Sequence, residues 1–192
     1  MLNALKLSEL LNKNTHPNLY PRLFVMSPNG TLMAYTTPID IRDLRDQAAL
    51  ISMAWKDHAA KLPSPATDSS PPQLETVTIE TANNNIIARA IQPSLLLVLV
   101  GGVPPSRKAV FKITPEARGE ARYPPDGGDD GADAVVGSGK AASVLSTMST
   151  REKDVKGGAL HIQRKKIDAL TEYLRKDFDA KGFVMPDGAG FS

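Results

Sequence analysis

The sequence predicts an α/β fold of the α+β sandwich kind: a five-stranded antiparallel sheet, three helices, and a long disordered insertion before the last helix. Three observations carry that prediction. Residues 74–102, LETVTIETANNNIIARAIQPSLLLVLVGG, read as three short strands separated by two tight turns. Upstream, Asn29-Gly30 joins two further apolar runs, and Asn-Gly is the strongest short hairpin signal. Three other segments space their apolar residues at helical intervals.

In order along the chain, Leu2, Leu5, Leu7, Leu10 and Leu11 mark a first amphipathic helix that ends before Asn14-Thr15-His16-Pro17. The hairpin follows, with strands Arg22 to Met26 and Thr31 to Tyr35. Thr37-Pro38-Ile39-Asp40 then opens a long helix, with Thr37 as N-cap, Pro38 in its first turn and Asp40 near the positive end of its dipole. This helix runs to about Leu62, where Pro63 and a Ser/Pro-rich linker stop it.

The meander comes next. Val77 and Ile79 alternate with Thr76, Thr78 and Glu80, the period of a half-buried strand. Ala82-Asn83-Asn84-Asn85 makes the turn, because Asn tolerates positive φ and bonds its own backbone. Ile86 to Ile91 is the second strand, and Gln92-Pro93 closes it. Leu95 to Val100 is aliphatic throughout, so it belongs mid-sheet with both faces covered. The meander thus runs from a polar-faced outer strand to a buried central one, and an outer edge is where a sheet accepts another strand.

Residues 101–157 change character. A short strand is possible at Ala109 to Ile113, but few large apolar residues lie between Thr114 and Gly157. Such a segment cannot bury enough surface to offset its ordering entropy, which predicts a flexible insertion. A last helix starts near Ala159, with Leu160, Ile162, Ile167, Leu170, Tyr173, Leu174 and Phe178 on its apolar face and Gln163-Arg164-Lys165-Lys166 mostly outward. The predicted organisation is one domain from 1–100 plus 158–180, an insertion over 101–157 and a tail over 181–192.

Composition bounds the function. The chain has 192 residues and a formal charge of +2, too small an excess to imply nucleic acid. It has no cysteine, which excludes disulfides and thiolate zinc sites. The N-terminus lacks the pattern of a signal peptide or a myristoylation site, so membrane residence is expected only through a partner. Residues 134–141 imitate a P-loop, but Ala134 and Ala141 replace its first Gly and its final Ser/Thr. Asp126, Asp129, Asp130 and Asp133 lack the spacing and terminal Glu of a calcium loop. His16, His58 and His161 fall in three elements without metal-ligand spacing. No catalytic pair of acid and base or of nucleophile and base is visible, so a non-enzyme without cofactor or metal is expected.

The order of helix, hairpin, helix, meander and helix resembles the roadblock/dynein light chain family. Within it the likeness is to the Ragulator type of late endosomal and lysosomal adaptor, whose fungal counterpart lies in the EGO complex on the vacuole. The residues that carry it are the leucine-rich opening, Leu32-Met33-Ala34-Tyr35 after the hairpin turn, and Ala48-Ala49-Leu50-Ile51-Ser52-Met53-Ala54-Trp55 on the long helix. They continue with Ile86-Ile87-Ala88-Arg89-Ala90-Ile91, Leu95 to Val100, and Ala169-Leu170-Thr171-Glu172-Tyr173-Leu174. The insertion departs from the family, which makes a much shorter connection there.

The resemblance implies a non-catalytic scaffold that pairs with a second roadblock protein, as a heterodimer or a homodimer. It would support Rag-type GTPases in TORC1 signalling in response to amino acids, recruited to the late endosome, lysosome or vacuole by a lipid-anchored partner subunit. Other family members stimulate a small GTPase, for which Arg22, Arg42, Arg45 and Arg89 are the arginines to consider, or serve as dynein light chains. In roadblock proteins the long helix and the neighbouring edge strand form the dimer surface. Ile41, Leu44, Ala48, Ile51 and Trp55 already supply the helix with a core stripe, leaving a second row that includes Ala49, Ser52, Met53 and Lys56. The implied interface is Arg45, Ala48, Ala49, Ser52, Met53 and Lys56 on the helix, with Glu75, Thr76, Thr78 and Glu80 on the outer strand.

Overall fold

A computed structural model describes residues 3–62, 73–103, 111–118 and 150–186, with side chains from 159 onward in the last segment. Its elements are α1 (Ala4–Lys13), β1 (Arg22–Met26), β2 (Leu32–Tyr35), α2 (Ile41–Ala60), β3 (Leu74–Glu80), β4 (Asn84–Gln92), β5 (Leu95–Gly102), β6 (Lys112–Ala117) and α3 (Thr150–Ala180). The strands form one sheet in the order β2-β1-β5-β4-β3-β6. Every neighbouring pair is antiparallel.

The sheet is the middle of three layers, which follows from the apolar character of both faces of β5. On one face, Leu44, Ala48, Ile51, Ala54 and Trp55 of α2 bury against Phe24, Met26, Val77, Ile79, Leu96 and Val98. On the other, Leu7 and Leu11 of α1 and Ile167, Leu170, Leu174 and Phe178 of α3 cover Leu23, Val25, Ile87, Leu95, Leu97 and Leu99. Each fully buried Leu or Ile contributes roughly 1.5–3 kcal/mol by leaving water. This is an α+β sandwich with the element order that the resemblance implies, and with one strand more than the five expected.

The extra strand is the main correction. β6 lies inside the segment predicted to be a flexible insertion, and it pairs along the whole of β3, from Leu74 opposite Ala117 to Glu80 opposite Lys112. Ile113 packs against the α2-side core. α3 begins at Thr150 rather than near Ala159. Residues 104–110 and 119–149 of the insertion lie outside the described residues, as do the 63–72 linker, the P-loop imitation and the Asp126–Asp133 cluster.

Smaller corrections have local causes. α2 starts at Ile41 with Asp40 as N-cap, its carboxylate accepting from the Arg42 N–H at 2.8 Å. Thr37 is taken by α1 instead, where its N–H donates to Asn12 Oδ1 at 3.0 Å. Part of the predicted tail is docked as well. α3 ends in a Schellman motif at Gly182, whose φ is +59°, with the Phe183 N–H donating to the Phe178 carbonyl and the two rings edge to face at 5.1 Å. Gln92 then clamps the chain, donating to the Phe183 carbonyl and accepting from the Met185 N–H.

Candidate functional site

The predicted interface divides into residues that face solvent and residues that the fold uses for itself. Arg45, Ala49, Met53 and Lys56 are exposed along the outer side of α2, with Met53 71% exposed. Ala48 and Ser52 are buried instead. The Ser52 hydroxyl donates to the Pro28 carbonyl at 2.7 Å, fastening α2 to the β1–β2 turn. Gly30 holds that turn at φ +91°, which favours glycine. Ser52 therefore belongs to the fold, and a bulky residue there would disrupt the monomer.

On the strand, Thr76 and Thr78 are buried and β3 is not the sheet edge. The period-2 reading set these threonines on a wet face, but α3 covers that face. Arg164 of α3 donates to Thr78 Oγ1 at 3.3 Å and pairs with Glu116 of β6 at 3.0 Å. Glu80 is half-buried beside Lys112 across the ladder. Glu75 is half-buried too, within reach of Arg89 at 3.2 Å and Arg175 at 3.3 Å. Arg89 also pairs with Asp168, and Arg175 donates to the carbonyls of Ala90 and Ile91. A layer of charge thus lies under α3.

Gln163 completes that polar layer and overturns its predicted outward placement. It is fully buried, donates to the carbonyls of Leu19 and Gly102 at 2.8 Å each, and accepts from Asn85 Nδ2 at 3.0 Å. Gly101 makes room for it, since a Cβ there would lie 2.2 Å from Gln163 Cδ. Lys166 likewise turns inward, bonding Asn14 Oδ1 and lying over the Tyr20 ring. Conversely, Ile162 and Tyr173 are exposed despite their place in the apolar pattern. The missed signal is Arg164, Asp168, Thr171 and Arg175, a polar row at helical spacing beside the apolar stripe.

Arg89 is held by its carboxylates, Arg22 approaches Asp43 at 3.7 Å, and Arg42 and Arg45 stand exposed on α2. His16 Nδ1 accepts from the N–H groups of Asn18 and Leu19, closing a turn beside Tyr20. Among the described residues no group of three or more His, Asp or Glu could hold a metal. At the end of α2, the hydrogen bond from Lys61 holds the Asp57 carboxyl below its usual range, and Lys176 does the same for Glu172.

No protein-family model matches the chain, and no curated protein is significantly similar to it. Solved structures are. The Roadblock/LC7 domain from Streptomyces avermitilis is similar at 14% identity and TM-score 0.40, over 50% of this chain and 76% of that domain. MglB, in a tetrameric arrangement, is similar at 16% identity and TM-score 0.35, over 52% of this chain and 70% of its own.

Proposed function

We propose that this chain is a non-catalytic adaptor that pairs with a second roadblock-type protein and offers a docking surface to small GTPases of the Rag type. The observation that carries this reading is the exposed row on α2. Met53 stands in water between Ala49 and Lys56, on a helix whose opposite side is packed into the core. A large apolar side chain flanked by a small residue and by charge suits an anchor for a partner surface. Met53→Arg is expected to weaken capture of the roadblock partner and GTPase at least ~10-fold while leaving circular dichroism and the melting temperature unchanged. Capture at wild-type strength by both Met53→Arg and Ala49→Arg would remove this surface from consideration.

Amino-acid signalling through TORC1 at the lysosome or vacuole is the proposed setting, with recruitment by a lipid-anchored partner subunit. Among the described residues no helix is long and apolar enough to cross a membrane. Purified protein is expected to float with anionic liposomes only when the anchored subunit is present. Flotation of the chain by itself would contradict recruitment through a partner.

A further inference from the structure

We infer that β6 is an internal stand-in for the β3 strand of a second copy of this chain, so that the isolated protein holds its own pairing edge closed. The inference deepens the adaptor reading and rests on its placing of the partner surface at α2, joined here to the neighbouring strand β3. In the β3–β6 ladder, Ile79 lies opposite Ile113, Thr78 opposite Thr114, Val77 opposite Pro115 and Thr76 opposite Glu116. Two β3 strands related by a two-fold axis at Thr78 would also run antiparallel. The second strand would then set its Val77, Thr78, Ile79 and Glu80 against Ile79, Thr78, Val77 and Thr76 of the first.

Ile-Thr-Pro-Glu of β6 therefore occupies, residue for residue, the place of Val-Thr-Ile-Glu from a second β3. Ile113 stands for Val77 against the α2-side core, Thr114 for Thr78, and Glu116 for Glu80. The Glu116 carboxylate pairs with Arg164 at 3.0 Å, and Glu80 of a second copy would reach the same guanidinium.

The one mismatch, Pro115 for Ile79, has its own consequence. Proline has no N–H and is confined to edge strands, so β6 ends the sheet where a second β3 would continue it. β6 is also suited to leave. Its residues are exposed or half-buried, whereas Thr76, Val77, Thr78 and Ile79 beneath it are buried.

Charge on α2 favours a second copy as the occupant. An antiparallel α2 crossing midway between Ala49 and Met53 would set Arg45 opposite Asp57 and Asp46 opposite Lys56. All four side chains are exposed, and both pairs have opposite sign.

The test compares an open and a locked chain. Ile113→Asp with Glu116→Lys removes both the packing and the ion pair that hold β6. Glu80→Cys with Lys112→Cys joins facing positions of β3 and β6, and the chain has no other cysteine. Sedimentation velocity across a dilution series is expected to show the open variant self-associating at least ~10-fold more tightly than wild type. Hydrogen exchange should find its β3 amides still protected. The oxidised locked protein is expected to stay monomeric and to recover self-association on reduction.

A folded, monomeric open variant with exchanging β3 amides would overturn the inference. If the open variant does not fold, the locked protein decides alone, and equal self-association before and after reduction overturns it. GTPase capture is absent from these measurements, so failure of the proposed function would be read separately.

Discussion

Replacing Gln163 by leucine is expected to destabilise the fold by about 1–3 kcal/mol. Leucine is of similar size but is branched and has no polar atom to offer these partners. It leaves the Leu19 and Gly102 carbonyls and the Asn85 amide without the partner that serves all three. A buried polar group stripped of its partner costs roughly 1–3 kcal/mol, and the Gly102 carbonyl bears that cost, since the Leu19 carbonyl keeps the Gly102 N–H and Asn85 keeps another contact. Urea titration measures the effect, and a loss under ~1 kcal/mol would mean that water restores the bonds. Gly101→Ala should be costly for the complementary reason, because the added methyl collides with the Gln163 amide. Combining it with Gln163→Ala should cost less than the two single changes added together, since each relieves the other's conflict.

Glu75→Ala is expected to cost about 3–5 kcal/mol, the range for breaking a buried ion pair by removing one member. Its carboxylate lies between Arg89 and Arg175, and the side chains of Glu75 and Arg89 are only 12% and 11% exposed. Removing the acid leaves two guanidinium groups close together with Asp168 as the nearest compensation. Glu75→Gln should recover part of the loss by keeping a hydrogen-bond acceptor. Lys176→Ala serves as control. It breaks an exposed pair with Glu172 one helical turn away, and the urea midpoint should stay where it is. Equal midpoints for Glu75→Ala and the control would show that the charge layer contributes little.

The elements legible in the sequence were those with one dominant pattern. The Asn-Gly hairpin, the aliphatic β5 and the amphipathic α1 and α2 fall where their periodicity sets them. What stayed hidden depends on contacts between distant residues. Thr76 and Thr78 alternate like a solvent-facing row, and nothing near them in the chain announces that α3 will cover them. β6 is short, carries Pro115 and lacks a clean alternation, so its pairing is visible only against β3. Gln163 and Arg164 sit in a run that any helical wheel would turn to water. Their burial follows from Asn85, Gly101 and Glu116, residues far from them in sequence. The candidate surface was half legible for the same reason. Arg45, Ala49, Met53 and Lys56 follow from helical phase alone, while Ser52 needed the position of Pro28.

The layer under α3 also settles how far along its own axis that helix sits. Ile167, Leu170, Leu174 and Phe178 follow one another every three or four residues, over a sheet face built mostly of Leu and Ile. A slide of one turn, ~5.4 Å, would carry Leu170 to the seat of Ile167 and Leu174 to the seat of Leu170. Oil on oil does not distinguish those two seatings. Gln163 does, because one turn away from its place it meets neither the Leu19 nor the Gly102 carbonyl, and Arg175 likewise loses its hold on Glu75 and the end of β4. These polar contacts act as the detent of a ratchet: the aliphatic stripe presses the helix down, and the amide and the guanidinium choose the notch.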